Sequence, residues 1–95
     1  MATLSEAEVR GKLQSLAGWK LASGNLERVF TFESFLPAIA FVNRVAGAAE
    51  SAGHHPDIAI NYNRVTLALS THSAGGITQK DFDLAREIDR LQGGA

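Results

Sequence analysis

The sequence predicts an α+β two-layer sandwich of order α-β-β-α-β-β-α, a four-stranded antiparallel sheet with helices on one face. Three observations carry this. Apolar residues recur at helical spacing in three separate stretches. Short alternating stretches come in pairs, each pair joined by turn residues, as hairpins require. The helical stretches lie before, between and after those pairs.

The first helix opens on Ser5-Glu6-Ala7-Glu8, a capping box with Ser5 as N-cap and Glu8 at N3. Leu4 and Val9 stand at the staple positions, and Val9, Leu13, Leu16 and Ala17 line one face. Gly18 is expected to stop this helix. Trp19 to Leu21 reads as a short strand, Ala22-Ser23-Gly24-Asn25 as a turn, and Leu26 to Phe32 as the second strand. Leu26, Arg28, Phe30 and Phe32 share one of its faces.

Ser34 is the next N-cap, and Pro37 is tolerable in a first turn. Phe35, Ile39, Val42, Ala46 and Ala49 form the stripe of the central helix, widened by Ala38, Phe41 and Val45, and Gly53 ends it. Ile58, Ile60 and Tyr62 alternate, as do Val65, Leu67 and Leu69, with Asn63-Arg64 as the expected turn. The last helix follows Gly75-Gly76, with Thr78 as N-cap, Asp81 at N3 and Ile77 stapled to Phe82. Phe82, Ala85 and Ile88 supply its inner face, and Gly93-Gly94-Ala95 should fray.

At 95 residues the chain suits one domain, 1–95. Net charge is −1, and the pI near 6.3 lacks the basic footprint of a nucleic-acid binder. The absence of cysteine excludes disulfides and thiolate metal sites. Met1-Ala2-Thr3-Leu4-Ser5-Glu6 has neither the basic nor the apolar part of a secretory leader. No apolar run approaches the roughly 20 residues of a membrane span. The expectation is a soluble, cytoplasmic protein, with no direct nucleic-acid or membrane partner.

Chemistry points to the three histidines. His54-His55-Pro56 follows the central helix, and Pro56 pushes His55 towards an extended backbone. Adjacent side chains on an extended stretch point to different sides, so the two imidazoles address different places. His72 is expected to end the fourth strand, two positions from Ser70 on the same face. The hairpin then brings His72 to the end where His54 and His55 lie. An isolated loop histidine is commonly just solvated, but three at one rim suit general acid–base work near neutral pH.

A three-histidine zinc site is the competing chemistry, and the spacing argues against it, because adjacent histidines before proline chelate poorly. Ser70, Thr71, Ser73 and Thr78 offer hydroxyls, but none sits in a nucleophile elbow. Gly75-Gly76 lacks the lysine continuation of a phosphate loop. Glu50, four residues before His54, either holds an imidazole in one tautomer or is an exposed surface carboxylate. Asp81 can accept the backbone N–H of Thr78 as a cap, and Trp19 is either core or a stacking platform.

Glu50-x-x-x-His54-His55-Pro56-Asp57, Asn61-Tyr62-Asn63-x-Val65 and Ser70-Thr71-His72-x-x-Gly75-Gly76-Ile77-Thr78-x-x-Asp81 together resemble the pterin-4a-carbinolamine dehydratases. The resemblance spans nearly the whole chain. It implies dehydration of 4a-hydroxytetrahydropterin to quinonoid dihydropterin, with no metal and no bound cofactor, in recycling the pterin of aromatic amino-acid hydroxylases. It implies that His54 and His72 protonate the departing hydroxyl, one on each face of the ring, and that His55 binds substrate and takes the N5 proton. Glu50, Pro56, Asp57, Thr71, Asp81 and Trp19 match positions that bind substrate or support the site. It also implies a homodimer or homotetramer.

Two departures stand out: Ile58 where many members carry an aromatic residue, and Gly53 where many carry Asn or Asp. Some members act as a transcriptional coactivator or assembly chaperone, so a non-catalytic oligomeric scaffold is the alternative function. A pure scaffold has no need of all three histidines, and this chain has them.

Overall fold

The structure, a computed structural model, describes residues 3–93. Its elements are α1 (Glu6–Leu13), β1 (Lys20–Ala22), β2 (Asn25–Thr31), α2 (Phe35–Ala52), β3 (Asp57–Asn61), β4 (Arg64–Leu69), a 3-10 turn (His72–Ala74) and α3 (Gln79–Gly93). The order is the expected one. All strands pair antiparallel in the spatial order β1-β2-β4-β3, so β4 is inserted between the strands that flank α2.

The capping box at Ser5 forms as expected. Its backbone N–H donates to Glu8 Oε1 at 2.8 Å and its hydroxyl accepts from the Glu8 N–H at 3.1 Å. These bonds from Ser5 hold the Glu8 carboxyl below its usual range. Helix α1 ends at Leu13 rather than running to Gly18. Gln14, Ser15 and Leu16 instead donate three residues back, to Gly11, Lys12 and Leu13. That tighter winding turns Leu16 into the core and leaves Ala17 exposed. Gly18 lies at φ +92°, where a Cβ would meet Arg28 Nε at 2.7 Å.

Strand bounds shift by one residue from expectation. Ala22 pairs with Asn25, and Ser23 and Gly24 take the turn at φ +51° and +79°. At the other hairpin Asn61 pairs with Arg64, so the turn is Tyr62-Asn63, with Tyr62 at φ +53°. Asn63 explains the shift. Its carbonyl accepts the Phe32 N–H at 2.8 Å and its side-chain amide donates to the Phe32 carbonyl at 2.9 Å, which clamps this hairpin to the end of β2.

One face of the sheet builds the core. Leu26 is paired with Leu69 and Phe30 with Val65, and all four are buried with Leu67. They pack on Phe41 and Val45 of α2 and on Phe82, Ala85 and Ile88 of α3. Ile77 is buried in the same cluster as Phe82, its expected staple partner. Helix α2 is rotated from the expected stripe. Ala38, Phe41, Val45 and Ala49 are buried, whereas Phe35 and Ala46 are exposed. An apolar sector this wide does not dictate which part of it the core takes. Ser34 has the extended N-cap backbone but makes no side-chain cap bond. Strand β3 is an edge strand exposed along its length, against the half-buried alternation expected of it. Helix α3 includes Gly93, and the expected fraying of Gly94 and Ala95 lies outside the described residues.

Candidate active site

Helix α2 is halted by Gly53, which takes the left-handed conformation at φ +62°. The reversal carries His54 off the helical track towards the start of α3, where its Nε2 meets Asp81 Oδ1 at 2.5 Å. The His54 side chain is 10% exposed and that of Asp81 is 0%. The second oxygen of Asp81 accepts the Thr71 hydroxyl and the Thr78 backbone N–H, each at 2.9 Å. The latter bond is the expected helix cap.

These bonds fix proton positions. The Thr71 proton is committed to Asp81, so in the 2.8 Å contact between hydroxyls Thr78 donates to Thr71. Thr78 in turn accepts the Lys80 N–H at 3.3 Å. A carboxylate accepts only, so the His54 Nε2 carries hydrogen and Nδ1 is the nitrogen free to exchange a proton. The buried network joins the end of α2, the loop after β4 and the first turn of α3.

His55 diverges from His54, as Pro56 predicts. Its Nε2 lies 3.0 Å from Glu50 Oε1, and both side chains are largely exposed. Glu50 therefore partners His55, not the His54 that helical spacing alone would suggest. His72 does not end β4. It opens the 3-10 turn His72–Ala74, because Thr71 bridges to Gly76 and Gly75 takes φ +78° to close the loop. His72 is exposed and makes no ring hydrogen bond among the described residues.

All three histidines line one open pocket of about 250 Å3 with Gly53, Ser70, Thr71, Ser73 and Lys80. Asp81 and Glu50 stand behind this lining and reach it through His54 and His55. Pro56 and Asp57 are absent from the lining, and Asp57 opens β3 opposite Ala68. Trp19 is core. It is 6% exposed, meets Phe30 edge-on and donates Nε1–H to Asp89 at 2.9 Å. Asp89 also accepts from Arg28 at 2.8 Å, so Trp19 serves a packing strap away from the pocket.

Lys80 was not singled out by sequence reasoning. The available signal was its place beside Asp81 in the first turn of α3, where neighbouring residues point about 100° apart. With Asp81 turned inward, Lys80 turns to the rim. A groove of about 650 Å3 between α2 and α3 shares His54 and Lys80 with the pocket. Among the described residues no group of three or more His, Asp or Glu is gathered to hold a metal ion.

The fold and the pocket define a class: a small α+β domain that presents three imidazoles, differently held, to one open site. The Pterin 4 alpha carbinolamine dehydratase family model matches residues 2–91. A Thermosynechococcus vestitus protein is 56% identical over 88 residues, 93% of each chain, and an Acidobacterium capsulatum protein is 56% identical over 91, covering 96% and 99%. Both carry a provisional pterin-4-alpha-carbinolamine dehydratase name. The crystal structure of a transcriptional coactivator/pterin dehydratase from Brucella melitensis superposes with TM-score 0.89 at 35% identity, over 94% of this chain and 97% of that one. A pterin dehydratase-like RuBisCO assembly factor of the alpha-carboxysome superposes at TM-score 0.65 and 25% identity, over 79% and 87%. The chain belongs to the pterin-4-alpha-carbinolamine dehydratase family.

Proposed function

We propose that this protein dehydrates a 4a-hydroxytetrahydropterin to the quinonoid dihydropterin and water. The observation that carries the proposal is the convergence of His54, His55 and His72 on one pocket, each in a different environment. The reaction needs an acid and a base. The C4a–O bond breaks with its electron pair going to a protonated oxygen, which leaves as water. The N5–H pair becomes the C4a=N5 bond, and the N5 proton goes to a base. No electrons are gained or lost, so no redox partner is required.

His54, backed by the Asp81 carboxylate, and His72, which lines the same pocket, deliver the proton to the hydroxyl, one on each face of the ring. His55 takes the N5 proton through Nδ1 while Glu50 holds its Nε2–H. Each such transfer is worth about 10²–10⁴-fold in rate. Purified protein mixed with freshly generated 4a-hydroxytetrahydropterin should accelerate the absorbance change of dehydration. His54→Ala and His72→Ala should each lose about 10²-fold. A rate equal to buffer overturns the proposal.

The same chain self-associates in this reading. Strand β3 has no pairing partner on its outer edge among the described residues, and Ile58 and Ile60 on it are each 39% exposed. The protein works in the cytoplasm, in recycling the pterin of an aromatic amino-acid hydroxylase. A non-catalytic role like that of the carboxysomal RuBisCO assembly factor is the alternative, and a pure scaffold has no need of three imidazoles around one pocket.

A further inference from the structure

The histidine pocket is small for a whole substrate. Small-molecule sites commonly span ~300–1,000 Å3, and this one is about 250 Å3. It has room for a bicyclic ring and little more. On the side of His54 and Lys80 it adjoins the larger α2–α3 groove, because both side chains line both spaces. A substituent on a ring held by the histidines can pass the Lys80 rim into that groove.

The charges of the groove are unequally satisfied. Its two acids are already held. Asp83 accepts from Gln79 at 3.0 Å and pairs with Arg86 at 3.5 Å, and Glu87 pairs with Arg90, which keeps its carboxyl below the usual range. Its two cations are not. Neither Arg44 nor Lys80 forms an ion pair among the described residues. Arg44 Nε is moreover buried with no hydrogen-bond partner among the described residues. A buried guanidinium N–H without an acceptor is costly, so the side chain gains by turning Nε out to an oxygen anion in the groove. Asn43 and Ser51 add neutral polar groups along the same wall.

We propose that the α2–α3 groove, through Arg44 and Lys80, is a subsite for an anionic group, a phosphate or carboxylate, on the substituent of the substrate. The inference rests on the ring-binding reading of the histidine pocket. It narrows the substrate class from pterins in general to pterins with an acidic tail.

Two stable ligands that differ only in the tail test it: neopterin and neopterin 3′-monophosphate, titrated into the full chain and followed by quenching of pterin fluorescence. The phosphate form should bind about 10-fold tighter or better, the worth of one charge-assisted hydrogen bond. The advantage should shrink in 0.5 M salt, as an ionic contact in a half-open groove must. It should collapse towards parity in Arg44→Gln and fall in Lys80→Gln. Equal affinity of the two ligands for the unaltered chain overturns the subsite and leaves the ring reading standing. A full advantage retained in Arg44→Gln overturns its placement in the groove. If neither ligand binds, the ring reading fails, and inorganic phosphate then tests the groove alone. A shift of the Arg44 Nε–Hε resonance on phosphate addition supports an anion site there, and an unmoved resonance removes it.

Discussion

Asp81 concentrates three tasks in one side chain. It caps α3 through the Thr78 N–H, ties down the loop through Thr71, and orients His54. These tasks separate by substitution. In Asp81→Asn the amide oxygen can still accept from Thr71 and Thr78, while the NH2 faces His54. A donor there leaves Nε2–H without an acceptor, so the ring holds a single proton, on Nδ1, and a neutral imidazole is a far weaker acid towards the departing hydroxyl than the doubly protonated ring that a carboxylate supports. Asp81→Asn should therefore fold, retain most of its ligand affinity, and lose about 10²-fold in kcat. Nitrogen chemical shifts of the His54 ring should show the proton moved from Nε2 to Nδ1. An unchanged tautomer with unchanged kcat would remove Asp81 from the mechanism. Asp81→Ala should do more damage, since it strands a buried hydroxyl and a backbone N–H at about 1–3 kcal/mol for each group left unpaired. Chemical denaturation measures that loss.

At the scale of elements, the end of α2 sets the site, and Gly53 sets that end. Its φ of +62° belongs to the region that Gly enters freely and Asn tolerates, and a Cβ there would meet nothing within 4 Å. The cost of substitution is thus conformational, not steric. This accounts for one departure from the family pattern, because Gly, Asn and Asp are interchangeable answers to one backbone demand. Gly53→Asn should melt close to the parent chain, whereas Gly53→Val should lose about 1–2 kcal/mol and misplace His54. Equal stability of the two variants would show that the left-handed turn is not required. Such devices divide what the sequence reveals from what it hides. Ser5 with Glu8, Thr78 with Asp81, and Gly53 announce their roles through local chemistry, so helix starts and the end of α2 were legible. Tyr62 at φ +53° was not, because what fixes it is the clamp between Asn63 and Phe32, 31 residues away in sequence. His72 was legible as a neighbour of His54 and His55 but not as a turn residue, since its loop is closed by the bridge from Thr71 to Gly76. Lys80 was hidden because exposure of one residue in a helical turn follows from burial of the next.

On the scale of the whole molecule, the apolar pattern exceeds what one chain can cover. Ile58 and Ile60 pair with Leu67 and Val65, so they leave the sheet on its helix-covered face, yet each is 39% exposed. Phe35 and Leu36, at the start of α2, are 46% and 74% exposed. The strand that carries the isoleucines holds neither lysine nor proline to guard its open edge. A second copy is the natural cover. Antiparallel self-pairing about Ala59 sets Ile58 of one copy opposite Ile60 of the other, and Asp57 opposite Asn61, so no like charges face each other. The sheet would then run on through eight strands. The unaltered chain should sediment at no less than twice its 10.1 kDa mass. Ile60→Lys places an edge-guarding charge against apolar neighbours twice over, once for each copy, and should yield a monomer with an unchanged far-ultraviolet spectrum. A variant that keeps the parent mass would place the contact elsewhere, and a monomeric parent would end the self-association reading. Dehydratase activity measured on that monomer then separates the two properties. The three histidines lie within one chain, so the monomer should keep the chemical step even where it loses stability.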